Sequence, residues 1–285
     1  RYGRHGRHGR HGRHGLLKQR INMPYFQVNG LNFHYNLIQG EGPTLMLLCS
    51  TGLDYRQWKK LPSLLPDRKM ICLTYLGYEP SESWNEDYSV ENDYYAAEFL
   101  LNQEIGEIDI IGHSYGGFIA LKLAVNNPRK VRKIALHEPT AWGCLKFTDK
   151  DELKDEFGEV VETFFTEGLP PEEFLQDFVD YWNEPGHWKS MNRERKNHWR
   201  SIQSKILAEV RHLCYDDTPP EFYRGISQPV LMSLSKDTPK HHYEVCSILS
   251  KNIPNINLIH VPGGHMGIIT HPESVLFPFS EWIKY

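Results

Sequence analysis

The sequence alternates short runs of aliphatic and β-branched residues with longer stretches of helical periodicity, and few folds accommodate that order. The run at 44–49 is continuously apolar, as expected of a strand that is buried on both faces of a sheet. Strands that alternate with helices at this spacing favour an α/β fold, in which a mostly parallel central sheet is flanked by helices. The predicted strands are 26–28, 31–37, 44–49, 69–73, 108–111, 133–136, 230–234 and 257–261, and the predicted helices are 93–103, 115–126, 238–251 and 272–282.

One segment, which follows the sixth predicted strand, interrupts the alternation. No strand pattern is evident between about Trp142 and Tyr223, and apolar residues recur there at helical spacing. The clearest helical stretches are 151–165, the one that begins at Pro170, and 194–213. We therefore predict a helical insertion in the α/β core. The predicted division assigns 23–140 and 226–285 to the core and 141–225 to the insertion.

The first residues of this 285-residue chain differ from the rest in composition. The triplet Arg-His-Gly occurs four times from Arg4 to Gly15, and a strict repeat without apolar residues cannot bury a core. We interpret residues 1–22 as a disordered, tag-like leader and Met23 as the natural start. The net charge of −4 becomes −11 once the seven cations of the leader are set aside. An acidic body argues against a nucleic-acid partner.

The sequence also limits the compartment and the cofactors. No stretch approaches the roughly 20 apolar residues of a membrane-spanning helix, and the leader lacks the apolar segment of a secretory signal. The five cysteines are odd in number and form no C-x-x-C pair. We interpret them as reduced, buried thiols and predict a cytoplasmic protein with no membrane contact and no metal or organic cofactor.

A serine between two glycines forms the most specific motif of the chain. The motif Gly112-His113-Ser114-Tyr115-Gly116 lies between a predicted strand and a predicted helix. A nucleophilic serine needs a sharp strand-to-helix turn, and Gly112 and Gly116 lack the Cβ atoms that would clash there. The backbone N–H of Tyr115, at the start of the helix, can stabilise an oxyanion. The motif predicts Ser114 as a nucleophile.

A candidate acid and a candidate base follow Ser114 in the order serine, acid, histidine that a nucleophile on such a turn predicts. His265 lies in a glycine-rich loop after the last predicted strand and is the candidate base. Asp237 follows the preceding strand, where a carboxylate would fix the imidazole tautomer and stabilise the imidazolium. Glu138, just after the sixth predicted strand, is a rival acid. Our prediction prefers Asp237.

Together these motifs resemble the α/β-hydrolase superfamily, with the closest likeness to esterase-like members that carry a helical lid after the sixth strand. The resemblance covers nearly all of residues 25–285. It rests on GHSYGG at 112–117, PGGHMG at 262–267, YLGYEPS at 75–81 and IITHPES at 268–274. It implies the α/β-hydrolase fold and a Ser-His-acid triad that works without a cofactor.

Two positions depart from the family pattern. The loop that usually reads His-Gly has Thr51-Gly52 here. The family's oxyanion donor in this loop is a backbone amide, which we assign to Leu53, so a changed side chain need not abolish it. The second departure is Leu234, which stands where a glycine usually precedes the acid by three residues and so weakens the alignment of Asp237.

The predicted function is that of a serine hydrolase of the carboxylesterase type, which cleaves a small, apolar acyl substrate through an acyl-enzyme. Tyr55, His137 and Trp142 are the candidate pocket residues, and for His137 we favour a structural hydrogen bond over a pocket role. The same fold and triad also serve C–C bond hydrolases, lactonases, perhydrolases and lyases, and a non-catalytic binding protein could retain the pocket. The sequence leaves these alternatives open.

Overall fold

A sheet of nine strands runs through the computed structural model, which describes residues 21–22 and 24–284. The strands are β1 (Ile21–Asn22), β2 (Tyr25–Val28), β3 (Leu31–Ile38), β4 (Gly42–Leu48), β5 (Arg68–Thr74), β6 (Ile108–His113), β7 (Val131–His137), β8 (Val230–Ser235) and β9 (Ile256–Val261). Their order is β1-β3-β5-β4-β6-β7-β8-β9, and β2 also pairs with β3.

The sheet is mostly parallel, as the alternation predicts. Neighbouring strands from β5 to β9 are parallel, whereas β3 is antiparallel to β1, β2 and β5. Asn29 and Gly30 close the hairpin between β2 and β3 with φ values of 52° and 80°, the left-handed pair that a two-residue hairpin turn requires. The whole of β6 is buried, because helices cover both faces of the central sheet.

The helices of the described structure pack against this sheet and against one another. They are α1 (Leu61–Leu64), α2 (Asn92–Gln103), α3 (Tyr115–Asn126), α4 (Asp151–Phe164), α5 (Pro171–Trp182), α6 (His187–Ser190), α7 (Arg193–Ser201), α8 (Gln203–Tyr215), α9 (Lys240–Asn252), α10 (Gly267–Thr270) and α11 (Pro272–Lys284). The helix α3 lies against β4, β6 and β7 and beside α2, while α11 lies against β7 and β8 and beside α1. None of the described helices is both long enough and apolar enough to cross a membrane.

Two residues of the predicted leader belong to the sheet. Ile21 and Asn22 form β1 and pair with Ile38 and Leu37 of β3, so the predicted boundary of the leader at residue 22 is wrong. A two-residue edge strand is too short to show the four- to eight-residue pattern by which strands are recognised in a sequence. Residues 1–20 and Met23 lie outside the described residues, and the tag-like leader stays a prediction.

The segment between β7 and β8 contains α4 to α8 and, in the described structure, no strand. We call residues 141–225 the helical insertion. The predicted helix at 194–213 is in fact two helices, since Ile202 leaves helical geometry with φ −114° and ψ 9° between α7 and α8. Ile202 is itself buried, and the apolar periodicity continues across it, so the sequence pattern gave no sign of the break.

The carboxyl ends of the parallel strands meet at one edge of the sheet. The loops that follow β4, β6, β7 and β9 at this edge contain Leu53, Ser114, Glu138 and His265. The topology therefore brings together residues that are far apart in the sequence.

Candidate active site

Ser114 occupies the sharp turn between β6 and α3. Its backbone has φ 55° and ψ −118°, a conformation that costs a non-glycine residue about 1–3 kcal/mol. Hydrogen bonds hold it there: the Ser114 N–H donates to the His137 carbonyl at 3.1 Å, and the Ser114 carbonyl accepts from the Thr140 N–H at 3.2 Å. The strain is therefore supported by the chain that leaves β7.

Glycines make this turn possible by letting backbones approach closely. A Cβ atom added to Gly116 would lie 2.2 Å from the carbonyl oxygen of Leu48, and one added to Gly112 would lie 2.7 Å from that of Gly116. Neither backbone atom could move aside cheaply. The geometry at these two positions agrees with the steric argument made from the sequence motif.

Ser114, His265 and Glu138 form a continuous hydrogen-bonded chain. Ser114 Oγ lies 2.9 Å from His265 Nε2, and His265 Nδ1 lies 2.8 Å from Glu138 Oε2. The exposed fractions of the three residues are 4%, 1% and 0%. Burial lowers the pKa of His265 well below its usual value of 6.5, so the imidazole is neutral. With its proton on Nδ1, facing the carboxylate, Nε2 is free to accept the serine proton.

The structure overturns our choice of acid. Asp237 lies in the loop after β8 with its side chain exposed, and Glu138 takes the position beside His265. The end of β8 and the loop after it instead supply two donors to Glu138, the Ser235 N–H and the Thr238 hydroxyl, both at 2.8 Å. Glu138 reaches this position through a left-handed backbone, with φ 43°.

Two further histidines hold the main chain of His265. Nε2 of His113 lies 2.9 Å, and Nε2 of His137 3.1 Å, from the His265 carbonyl oxygen. Their Nδ1 atoms contact Gln57 at 3.1 Å and Ser233 at 2.8 Å. Burial lowers the pKa of both imidazoles, so each is neutral and donates through Nε2. His137 thus holds the main chain of His265 through the structural hydrogen bonds that we expected of it, and it does not line the pocket.

Glu138, His242 and His265 also place their ligand atoms within 4.8 Å of one another, which is close enough to hold a metal ion. Each of these atoms, however, already has a hydrogen-bond partner. His242 Nε2 lies 3.1 Å from the Glu138 carbonyl oxygen and His242 Nδ1 accepts from Trp142 at 3.3 Å. The triad and its neighbours account for this group without an ion.

An apolar cavity of about 200 Å³, with His265 in its lining, lies between the loop after β4 and the helical insertion. The ring of Trp182, from the insertion, stacks on the His265 imidazole with 3.6 Å between centroids and 19° between planes. The loop after β4 forms one wall and the insertion forms the other. The lining includes Ser50, Thr51, Leu53, Phe178, Val179 and Met191.

Two other predicted pocket residues lie elsewhere. Tyr55 is exposed on the 3₁₀ helix Tyr55–Trp58, and Trp142 is buried behind Trp182, against which it stacks at 5.6 Å. Neither is among the described residues that line the cavity. The sequence does not single out Trp182, because helical periodicity cannot distinguish a residue that packs the insertion from one that covers the His265 imidazole.

The two predicted oxyanion donors differ in their surroundings. The Tyr115 N–H, at the first position of α3, has no acceptor among the described residues. The Leu53 N–H donates to the Ser50 carbonyl at 3.1 Å within its own turn. Leu53 can therefore serve an oxyanion only by sharing or releasing this hydrogen bond. Gly52, just before it, has φ +71°.

Comparison with known proteins places this geometry in a family. A family model described as alpha/beta hydrolase fold matches residues 44–272. The chain belongs to the α/β-hydrolase-fold family. The predicted fold class and family are confirmed.

Two named proteins match part of the chain. The chain is 33% identical over 106 residues to a 2-hydroxymuconate semialdehyde hydrolase from Pseudomonas sp. (strain CF600), and the match covers 34% of this chain and 36% of that protein. It is 28% identical over 111 residues to the lipase LipV from Mycobacterium tuberculosis, covering 38% and 42%. These matches span less than half of either relative.

Solved α/β-hydrolase structures extend the likeness over most of the chain. The esterase EaEST from Exiguobacterium antarcticum superimposes with a TM-score of 0.73 and 19% identity, covering 92% of this chain and 99% of the esterase chain. At 19% identity this structural similarity shows the fold alone.

Proposed function

We propose that this protein is a serine hydrolase that cleaves a carboxylic ester or a related acyl substrate through an acyl-enzyme. The proposal rests on the hydrogen-bonded chain of Ser114, His265 and Glu138 and on the apolar cavity that His265 lines. This arrangement can activate a serine hydroxyl and can hold the charge that develops when its proton leaves.

In acylation, Ser114 Oγ attacks the substrate carbonyl carbon while its proton passes to His265 Nε2. Glu138 accepts the hydrogen bond from Nδ1 and stabilises the imidazolium that forms. The amides of Tyr115 and Leu53 stabilise the oxyanion. His265 then protonates the leaving alkoxide, and the C–O bond breaks to leave acylated Ser114.

In deacylation, His265 takes a proton from a water molecule, whose oxygen attacks the acyl carbon. Collapse of the second tetrahedral intermediate releases the carboxylic acid and returns the proton to Ser114. The low pKa of His265 keeps the imidazole neutral, as both half-reactions require of the base.

The cavity favours a small, apolar acyl group. A volume of about 200 Å³ lined by Leu53, Phe178 and Met191 leaves room for a short chain. A wider cleft of about 620 Å³ shares Leu53, Arg195 and Trp199 with it. We assign the acyl group to the inner cavity and the leaving group to the outer cleft.

C–C bond hydrolysis is the second candidate, because a relative that matches part of the chain is named 2-hydroxymuconate semialdehyde hydrolase. A triad of this geometry can serve either reaction. The two are separated by turnover of simple esters.

A fluorophosphonate probe together with p-nitrophenyl acetate and butyrate tests the proposal. We expect the wild-type protein to be labelled and to hydrolyse both esters. We expect Ser114→Ala to lose labelling and at least about 10⁴-fold in kcat, because the nucleophile is gone.

The matched control is Ser83→Ala, which makes the same change at an exposed serine outside the site and should behave as the wild type. Labelling that persists in Ser114→Ala would refute the assignment of the nucleophile. Labelling without ester turnover would favour the C–C hydrolase, and a wild-type protein that is neither labelled nor active would refute the proposed function.

A further inference from the structure

A buried charged group lies beside the predicted oxyanion donors, outside the triad. Lys205 Nζ, from α8, lies 2.7 Å from Asp93 Oδ2 and 2.6 Å from Glu209 Oε1, and none of the three side chains has any solvent exposure. The Lys205 ammonium also lies 5.0 Å from the centre of the Tyr78 ring and 5.8 Å from that of Tyr115. We call these five residues the Lys205 cluster.

The cluster is costly to bury. Each ion that leaves water loses several kcal/mol of solvation. Apolar residues of similar volume in its place often stabilise a protein to the same extent or more. Burial alone would lower the pKa of Lys205, but the carboxylates of Asp93 and Glu209 raise it above its usual value, so the ammonium stays charged. Stability by itself is therefore a weak reason for this arrangement, and the contacts of its two carboxylates indicate another.

The carboxylate of Glu209 reaches the loop after β4. Tyr78 Oη donates to Glu209 Oε1 at 2.8 Å and accepts from the Gly52 N–H at 2.9 Å. The next residue is Leu53, the expected oxyanion donor of that loop. One phenol oxygen thus connects α8 of the helical insertion to the backbone immediately before that donor.

The carboxylate of Asp93 reaches the other half of the oxyanion hole. Tyr115 Oη donates to Asp93 Oδ2 at 2.9 Å, and the Leu76 N–H donates to Asp93 Oδ1 at 2.8 Å. Tyr115 carries the other expected oxyanion N–H on its backbone. The same ammonium therefore holds the carboxylates that fix both donor-bearing segments.

We propose that the Lys205 cluster positions the two backbone donors of the oxyanion hole, so that the helical insertion sets the distance between them. This inference rests on the proposed function. The donors must lie about 2.7–3.1 Å from the oxyanion, and a displacement of about 1 Å can cost about 100-fold in rate. Lys205, Asp93, Glu209 and Tyr78 are positioning residues, since they act through the loop and the helix.

Replacement of Tyr78 by Phe tests the Glu209 branch. Tyr78→Phe removes one oxygen and keeps the ring that packs over Lys205. We expect kcat for p-nitrophenyl acetate to fall about 10- to 100-fold while KM changes less than about twofold, because the oxyanion is bound only in the transition state. Tyr115→Phe, which keeps its N–H, should act alike through the Asp93 branch.

Tyr223→Phe is the matched control. Tyr223 is fully buried on the 3₁₀ helix Pro220–Gly225, and its hydroxyl has no partner among the described residues. It should lose no activity although the chemical change is identical. Melting temperatures of all variants separate a general loss of folding from a change at the site.

An alkylboronic acid, which forms a tetrahedral adduct with the serine, supplies the second measurement. Its Ki should rise in Tyr78→Phe by the factor by which kcat/KM falls, since both report binding of the oxyanion. A cluster that only cross-links the insertion would lower the melting temperature and leave kcat and Ki unchanged.

The possible failures are distinguishable. If the wild type hydrolyses esters and the kcat of Tyr78→Phe equals that of Tyr223→Phe, the inference is wrong and the proposed function stands. If the wild type is labelled by fluorophosphonate without hydrolysing esters, the labelling rates of the same variants decide the inference. If it is neither labelled nor active, the proposed function fails and the inference falls with it.

Discussion

At the scale of single residues, Glu138 combines a fully buried carboxylate with a left-handed backbone. Such a conformation costs about 1–3 kcal/mol and persists only where its surroundings enforce it. Here the Ser235 N–H, the Thr238 hydroxyl and His265 Nδ1 all contact the carboxylate. This left-handed backbone places the Glu138 carboxylate beside the His265 imidazole.

Exchange of each candidate acid for its amide tests this placement. We expect Glu138→Gln to lower kcat about 10⁴-fold, because an amide cannot stabilise the imidazolium and favours the wrong tautomer. Asp237→Asn, at an exposed position of the neighbouring loop, should stay within about twofold of the wild type. Ester hydrolysis measured at saturating substrate checks both values, and the reverse ranking would restore Asp237 as the acid.

At the scale of elements, α5 closes the site by means of its last residue. The Trp182 ring lies flat on the His265 imidazole and is backed by Trp142, which is nearly parallel to it at 8°. This stack removes water from the base. Burial is the largest cause of the low pKa of His265, and α5 therefore influences the pH range in which the base is neutral.

Truncation of Trp182 should move the acid limb of the pH profile. The base works only when neutral, so kcat/KM falls as the pH drops through the pKa of His265, which lies well below 6.5. In Trp182→Ala water reaches the imidazole, the pKa rises towards 6.5, and the limb moves to higher pH. Loss of the cation–π interaction with the Trp182 ring lowers the pKa of His265 instead. This interaction contributes only about 0.5–2 kcal/mol, which is less than the effect that full burial can have on the pKa.

Trp188→Ala provides the comparison for this shift. Trp188 is a buried tryptophan of the same insertion, on α6, and it is not among the residues that line the cavity. Its truncation should leave the limb in place even if it lowers the melting temperature. A limb that stays put in Trp182→Ala would show that α5 does not set the pKa of the base.

At the scale of the whole molecule, a second buried charged group ties the sheet together at the edge remote from the site. Asp109, near the start of β6, accepts from Arg68 Nη2 of β5 at 2.6 Å and from Arg132 Nε of β7 at 2.9 Å. Arg68 also donates to the Thr44 carbonyl of β4 at 3.1 Å. Four neighbouring strands share this contact, which should serve stability.

Asp109→Asn tests the division between stability and catalysis. Removal of the charge leaves Arg68 buried without its counter-ion, and we expect the free energy of unfolding to fall by roughly 3 kcal/mol. Urea denaturation measures this change, and kcat of the folded enzyme should remain that of the wild type. Asp151→Asn, which breaks an exposed pair with Lys154, should leave the urea midpoint unchanged. A loss of kcat at unchanged stability would contradict the assignment.

Much of the fold was accessible from the sequence because its signals are local. Each predicted strand corresponds to a strand of the sheet. The errors concern features without a local signal. The two-residue β1 is too short to recognise, and the break at Ile202 is hidden because the apolar periodicity continues through it.

The sequence by itself determined Ser114 and His265 as partners, because the glycines around each residue indicate an unusual backbone conformation. The hydrogen bond between the two side chains agrees with this prediction. Only the tertiary structure decided which carboxylate lies beside His265 and which ring covers its imidazole. Glu138 and His265 are 127 residues apart, and Trp182 comes from a separate helix. Such contacts depend on how β7, β8 and the insertion pack together, and no periodicity along the chain records which carboxylate will reach an imidazole.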